Sequence, residues 1–402
     1  MFINLTRRTL HPLLAAFWMV AALTAAVCPT STGADQTSAA GSSELSPAEL
    51  DAKIDAMADR GIEFLRTRGQ SDDGSFSGET GAAVTGLVVR AILEHRPAAA
   101  ENDPVVKRAV EYLESKIRPD GGIYAVGSKY RNYETSTAVL ALVAANQDNQ
   151  YDSILKRAEV FLKEIQWDEG EGKNPEDPAY GGAGYGSHSR PDLSNTSFLI
   201  EALRELGNGS EDESIQKALQ FVSRTQNLPS QGNDTEHADK EGDGGFYYTP
   251  AAGGQSKAGE SSGGGLRSYG SMTYAGLKSM IYAGLTPEDP RVIAALNFIE
   301  ENYGLDTNPG MGPQGLYYYY HTFAKALDAA GLEVIETDSG KTHDWRTELV
   351  RALEDRQEDD GSWVNQESGR WMEKDRQLVT AYSLLALAHA QQSPEQSGSG
   401  TP

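Results

Sequence analysis

Cysteine is almost missing from this chain. Its 402 residues hold one, Cys28, inside an N-terminal stretch that reads as an export signal. A protein that loses Cys28 with its signal has no thiol, which excludes disulfides, thiolate zinc ligands and a cysteine nucleophile. A lipid-anchoring cysteine usually follows Gly, Ala or Ser, and Val27 precedes this one. Basic charge is also scarce: 35 Lys and Arg stand against 58 Asp and Glu, a formal net charge of −23 at pH 7. Phosphate contacts need clustered Lys and Arg, so neither nucleic acid nor anionic lipid is an expected partner. Beyond Val27 there is no apolar run long enough to span a membrane, so the mature chain is expected to have no transmembrane segment. A Gly-x-Ser-x-Gly elbow, a His-Glu-x-x-His pair and a phosphate loop ending in Gly-Lys-Ser/Thr are all absent, and nothing in the sequence names a cofactor.

What the chain does have begins with its address. Arg7-Arg8, an apolar run from Leu13 to Val27 and the small residues Thr32-Gly33-Ala34 make residues 1–34 an export signal, and the protein is expected to be periplasmic or secreted. Thr6-Arg7-Arg8-Thr9-Leu10 loosely fits a twin-arginine signal, and general secretory signals also carry paired arginines, so both routes stay open. A flexible linker is expected over residues 35–46, the folded body over 47–390 and a disordered tail over 391–402.

The body repeats one pattern six times: a charged amphipathic helix, a Gly/Asp turn, and a helix rich in Ala, Thr, Ser and Leu. Ser46-Pro47-Ala48-Glu49 opens the first helix with an N-cap, a proline at the first position and an acid in the first turn. The turns read Asp73-Gly-Ser-Phe76, Asp120-Gly-Gly-Ile-Tyr124, Tyr180-Gly-Gly-Ala-Gly-Tyr185, Asp243-Gly-Gly-Phe-Tyr247, Gly310-Met-Gly-Pro-Gln-Gly315 and Asp360-Gly-Ser-Trp363. A helix apolar on nearly all sides must be covered, and one carrying Lys156, Arg157, Glu159, Lys163 and Glu164 must face water. Two helix types in strict alternation therefore predict two layers, an all-α (α/α)6 toroid of six hairpins with the apolar helices inside. Strand-like runs are too short for a sheet. Asn227 to Arg267, rich in Gly, Ser and Gln, is expected to be a mobile loop over one mouth of the ring.

Gln70-Ser-Asp-Asp-Gly74-Ser-Phe76 and Gln357-Glu-Asp-Asp-Gly361-Ser-Trp363 resemble the glutamine/tryptophan repeats of squalene–hopene cyclases, which recur in protein prenyltransferase β subunits. In physical terms glycine supplies the tight turn, the aromatic fills the gap between hairpins and the Asp caps backbone N–H groups. The resemblance implies a terpenoid cyclase-like toroid, but the chemistry departs from it. No Asp-x-Asp-Asp acid occurs. Tyr320-His321-Thr322 is similar to the segment that brings a zinc-binding His in prenyltransferases, yet Tyr269 and Ser271 stand where that resemblance puts the Asp and Cys ligands. No metal is therefore expected.

Four consecutive tyrosines, Tyr317 to Tyr320, cannot share one buried stripe at 100° per residue, so some should face a cavity. Tyr269 and Tyr274 from the fourth inner helix, Tyr318 and His321 from the fifth, and Tyr185 from a turn are predicted to form one pocket at the turn-side mouth. Short polar residues at Glu79-Thr80, Glu134-Thr-Ser-Thr137 and Asn195-Thr-Ser197 read as helix caps, and His188 as a residue of an exposed loop. Three readings follow. The chain binds an apolar, isoprenoid-like molecule or lipid in the toroid, with or without catalysis; or it is a carbohydrate-active toroid using Glu134, Asp192 or Glu201; or it is a non-catalytic protein-binding scaffold.

Overall fold

The computed structural model describes residues 45–186 and 189–391. The expected signal over 1–34, most of the linker, the tail beyond Gln391 and His188 lie outside the described residues.

Twelve helices alternate between two roles. The outer ones are α1 (Pro47–Phe64), α3 (Pro104–Ser115), α5 (Asp152–Glu164), α7 (Glu213–Arg224), α9 (Pro290–Glu301) and α11 (Trp345–Glu354). The inner ones are α2 (Ala83–His95), α4 (Arg131–Ala145), α6 (Leu193–Glu205), α8 (Gly270–Tyr282), α10 (Leu316–Ala329) and α12 (Arg376–Ala390). A four-residue helix, Ala99–Asn102, precedes α3. Each inner helix packs on the next, α2 on α4, α4 on α6, α6 on α8, α8 on α10 and α10 on α12, and α12 returns to α2. The ring is closed.

The inner helices are buried nearly all round: Val139, Leu142, Leu199, Leu277 and Leu327 have no accessible surface, and Leu385 almost none. The outer helices bury one stripe. Glu164 faces water, while Lys163 and Glu300 are half-covered; the Lys163 ammonium bonds Asn208 and Asp212 at 2.7 Å each. Ser46 caps α1 as expected, and Glu49 completes a capping box with it.

One set of bonds fixes every regular turn. Gly74, Gly121, Gly181, Gly244 and Gly361 all have positive φ, and each backs onto a carbonyl of an outer helix: those of Arg108, Arg157, Lys217, Ala294 and Arg60. A Cβ there would lie within 2.6 Å of oxygen, so the position demands glycine twice over, for dihedral and for space. The side-chain amides of Gln70, Gln166, Gln226 and Gln357 each donate to the carbonyl of a turn glycine and to a carbonyl of the neighbouring outer helix. The Asp residues of these turns play a more local part than helix capping: Asp73, Asp120, Asp243 and Asp360 accept from the N–H two residues on, which closes the turn itself. The residue after each turn then donates its N–H to an inner-helix threonine: Phe76 to Thr85, Ile123 to Thr135, Ala183 to Thr196, Phe246 to Thr273 and Trp363 to Thr380, all at 2.9–3.1 Å. Thr135 and Thr196 are therefore docking points for turns, not helix caps. A buried N–H left without such an acceptor would cost roughly 1–3 kcal/mol, which explains threonine in otherwise apolar helices.

The stretch from Asn227 to Arg267 is not a featureless loop. It is laid down as successive hydrogen-bonded turns, because its polar side chains bond its own backbone: Asn227 to the Leu266 carbonyl at 2.7 Å, Asn233 to those of Gln226 and Leu228. Thr249 pairs antiparallel with Gln255 and Glu260 with Leu266. The one sheet among the described residues is a two-stranded hairpin, β1 (Ile335–Glu336) against β2 (Thr342–His343), with Ile335 opposite His343.

Candidate functional site

The N-terminal ends of the inner helices and the turns that feed them surround a cavity of about 440 Å3. Aromatic rings make up about half of its lining. Tyr133 of α4, Phe198 of α6, Tyr318 of α10 and Tyr382 of α12 form its depth, Tyr269 and Met272 flank it from the α8 side, and Tyr130, Tyr185, Tyr248, Trp371 and Met372 surround the mouth. The rings meet edge-on or tilted, the arrangements that aromatic quadrupoles favour: Tyr133 on Phe198 at 5.0 Å, Tyr130 on Tyr185 at 5.2 Å, Tyr318 on Tyr382 at 5.8 Å between centroids. The Tyr133 and Tyr382 hydroxyls lie 3.0 Å apart and that of Tyr318 meets Ser194 at 2.8 Å, so phenols bond one another around an otherwise apolar space. Burial keeps these phenols protonated; Tyr133 is pushed up to about 12.

Of the predicted pocket residues, Tyr185, Tyr269 and Tyr318 line this cavity. His321 and Tyr274 do not. His321 lies behind the wall, its ring stacked at 5.5 Å on Tyr382 and 6.5 Å on Phe198. Burial holds its imidazole well below its usual pKa, so it is neutral. Tyr274 turns to the outer side of α8 and packs on Tyr319 and Phe323. Three of the four consecutive tyrosines likewise point away: Tyr317 donates to the Val364 carbonyl, Tyr319 to that of Gly304 and Tyr320 to that of Leu305. They anchor neighbouring loops, and Tyr318 alone reaches the cavity. Sequence reasoning missed Tyr133, Phe198, Tyr248, Trp371 and Tyr382. Tyr382 could have been found by noting a phenol two residues past the docking threonine Thr380.

The carboxylates considered for acid/base work have partners inside the protein, and none of the three lines the cavity. Glu134 accepts from the N–H groups of Ala82 and Ala125, both at 2.9 Å, and from the Ser128 hydroxyl. Glu201 lies deeper in the ring, bonded to Lys278 at 2.6 Å and to Lys325. Burial works to raise its carboxyl, but Lys278 and then Lys325 outweigh it and hold it well below the usual range. Asp192 caps α6, accepting from the Asn195 N–H at 2.9 Å and its side-chain amide at 2.8 Å, and also bonds the Tyr248 hydroxyl. Burial pushes its carboxyl up to about 6 against those bonds. A proton held there is one phenol away from the cavity.

The residues at the zinc positions do not fit a metal ion. Tyr269 is a cavity wall, and the Ser271 hydroxyl accepts from the Asn308 amide at 3.2 Å. Among the described residues no three His, Cys, Asp or Glu converge where they could hold one.

The mouth is stiffened from the α12 side. The loop before α12 carries Glu373, buried at the N-terminus of α10, where one carboxylate oxygen accepts from the Tyr317 and Tyr318 N–H groups at 2.9 and 3.0 Å. Just before it, Trp371 and Met372 both adopt positive φ, 54° and 65°, and stay 39% and 41% exposed. Two large apolar residues in a left-handed backbone are held there by their surroundings.

Residues 71–249 match the model of the squalene-hopene cyclase C-terminal domain. No curated protein matches the chain. Among solved structures, a variant of the type II terpene cyclase MstE from Scytonema, in complex with its substrate geranylgeranyl dihydroxybenzoate, is similar at 13% identity and a TM-score of 0.49, over 86% of this chain and 98% of that one. A protein from Actinoplanes is similar at 15% identity and a TM-score of 0.48, over 84% and 100%. Identities this low do not speak to what the present chain binds. Residues 71–249 are thus similar to a squalene-hopene cyclase domain, and the glutamine, Asp-Gly and aromatic turn recurs beyond them, from Gln357 to Trp363, in a closed ring of six hairpins.

Proposed function

We propose that this protein binds an apolar, isoprenoid-like molecule in the aromatic cavity of its ring. The observation that carries the reading is the wall itself: about 440 Å3 bounded by Tyr133, Phe198, Tyr269, Met272, Tyr318 and Tyr382, with the Tyr133 hydroxyl bonded to that of Tyr382 and the Tyr318 hydroxyl to Ser194. A volume in this range suits a small ligand, and aromatic faces give it dispersion contact without demanding hydrogen bonds in return. The scaffold reading is weaker because the four tyrosines do not plug the ring. The carbohydrate reading is weaker because a glycosidase needs two carboxylates facing one bond, and Glu134, Asp192 and Glu201 are each occupied elsewhere. We place the protein outside the cytoplasm, on the strength of residues 1–34; N-terminal sequencing of the mature chain checks this.

The binding test uses protein purified from its own membrane fraction and analysed by native mass spectrometry, beside an Ala83→Phe variant. Ala83 lines the cavity from α2, and a benzyl group there would occupy it. The expected result is a retained apolar adduct on the native chain, lost in the variant with the melting temperature changed by only about 2–4 °C. An adduct that survives Ala83→Phe, or none on the native chain, counts against the reading.

A further inference from the structure

In a chain with 23 more acids than bases, the mouth of the cavity is an exception. Arg190, Lys257 and Arg370 gather there from three separate segments: the turn before α6, the excursion between α7 and α8, and the loop before α12. Arg190 and Lys257 both donate to the same Gln255 side-chain oxygen, Lys257 at 2.8 Å. The Lys257 ammonium sits 4.2 Å from the centre of the Tyr248 ring, and the Arg370 guanidinium 4.3 Å from that of Trp371. Both rings line the cavity. Arg370 otherwise bonds a neutral amide, that of Gln314. Among the described residues none of the three makes an ion pair, whereas Lys163 pairs with Asp212 and Lys217 with Asp168. Burial first, then Arg190, hold Lys257 below its usual range; Arg370 adds to this and Asp192 opposes it. Glu79, the one carboxylate in the cavity lining, enters from the α2 side and is not among the charges acting on Lys257.

Three neighbouring cations whose side-chain partners are neutral amides, with Lys257 repelled by both Arg190 and Arg370, are costly unless something negative joins them. From this juxtaposition we propose that the mouth, at Arg190, Lys257 and Arg370, binds the anionic end group, a carboxylate or a phosphate, of a ligand whose apolar part fills the aromatic cavity. The proposal rests on the apolar-ligand reading and adds the class of ligand: amphiphilic, with one negative end. Guanidinium groups at two of the three positions suit the flat, forked geometry of carboxylate and phosphate oxygens. The cations placed on Tyr248 and Trp371 are oriented before the ligand arrives, which lowers the ordering cost of binding.

The test is isothermal titration calorimetry of the full mature chain with three probes that share one tail: farnesol, farnesoic acid and farnesyl diphosphate. Expected is binding of at least one anionic probe about tenfold or more tighter than farnesol, the tighter of the two telling carboxylate from phosphate. In Arg190→Gln/Lys257→Gln, and separately in Arg370→Gln, the gap should close by about tenfold while farnesol affinity moves by less than about threefold. If a variant fails to fold, the native chain still decides the matter, because rising salt should narrow the gap and leave farnesol unchanged. Equal affinity for all three probes on the native chain, or a gap that salt and the variants leave intact, overturns the anionic mouth while the cavity reading stands. Binding of none of the three overturns both.

Discussion

Asp192 shows how much a single buried carboxyl can set. Its folded pKa, pushed up to about 6, lies above the value of about 3.9 expected when unfolded. The folded state therefore holds more proton than the unfolded state between those values, and the Asp192 contribution to stability is full below about pH 4 and is lost as pH rises through about 6. The Asn195 side-chain oxygen beside it is buried without a partner. In Asp192→Asn the Asn195 amide can turn over, donating no longer but accepting from the new amide, while the helix cap is kept, since asparagine caps as well as aspartate. The variant should melt higher than the native chain at pH 8, by on the order of 1–3 kcal/mol, and match it near pH 4. Paired melting curves at the two pH values check this; a variant less stable at both would mean that the charged carboxylate is needed. Sequence reading had Asp192 as a possible acid/base residue, but its burial, its cap and its bond to Tyr248 depend on α6 and on a segment more than fifty residues away, which no local pattern displays. Tyr318 and Tyr274 teach the same lesson in opposite directions. Both lie on inner helices rich in aromatics, and only the rotation of each helix in the ring decides that one meets the cavity and the other Phe323.

At the level of elements the reverse holds, because the hairpin pattern is written locally. Amphipathic spacing, N-cap residues and Gly/Asp turns marked the alternation of all twelve long helices. The missing piece was the threonine that each turn requires, because Thr85 or Thr380 reads as one polar residue in an apolar helix until the N–H of Phe76 or Trp363 is seen to reach it. The fifth hairpin departs from the rule. It has no such threonine, and Glu373 supplies the start of α10 instead, which is how an element that looked central for its tyrosines comes to depend on a loop more than fifty residues later. Gly361 gives the sharpest test of the turn. It has φ of 87°, and a Cβ would lie 2.4 Å from the Arg60 carbonyl oxygen of α1. Gly361→Ala should lower stability by about 2–4 kcal/mol, read from urea unfolding, since positive φ and a backbone clash act together. Gly172→Ala, whose φ of 70° comes with nothing near its Cβ, is the control and should cost only about 1 kcal/mol. Equal losses at the two sites would show that dihedral strain alone matters and that the fit against α1 contributes nothing.

The ring as a whole is closed by the same parts that join any two neighbours, and this is why six repeats in sequence were enough to foretell it. Gln357 bonds the Met57 carbonyl of α1 as Gln70 bonds that of Val105 on α3, and His95 of α2 bonds the Leu384 carbonyl of α12 at 2.8 Å. What the repeats could not foretell is how charge is distributed over the closed ring, because that depends on loops of unequal length meeting at one mouth. The surplus of acid is global and the cluster of Arg190, Lys257 and Arg370 is local, so ionic strength should act on the two with opposite sign. A net charge of −23 makes the folded state repel itself over distances that salt screens easily. Raising sodium chloride from about 0.01 to 0.3 M shortens the screening length from about 30 Å to under 10 Å and should raise the melting temperature by a few degrees. The same addition weakens the pull of the three cations on an anionic probe, so affinity should fall while stability rises. Thermal scans and titrations across one salt series measure both. A melting temperature that falls with salt would mean that short-range surface ion pairs, such as Lys53 with Glu354 and Arg96 with Asp59, outweigh the repulsion of the whole.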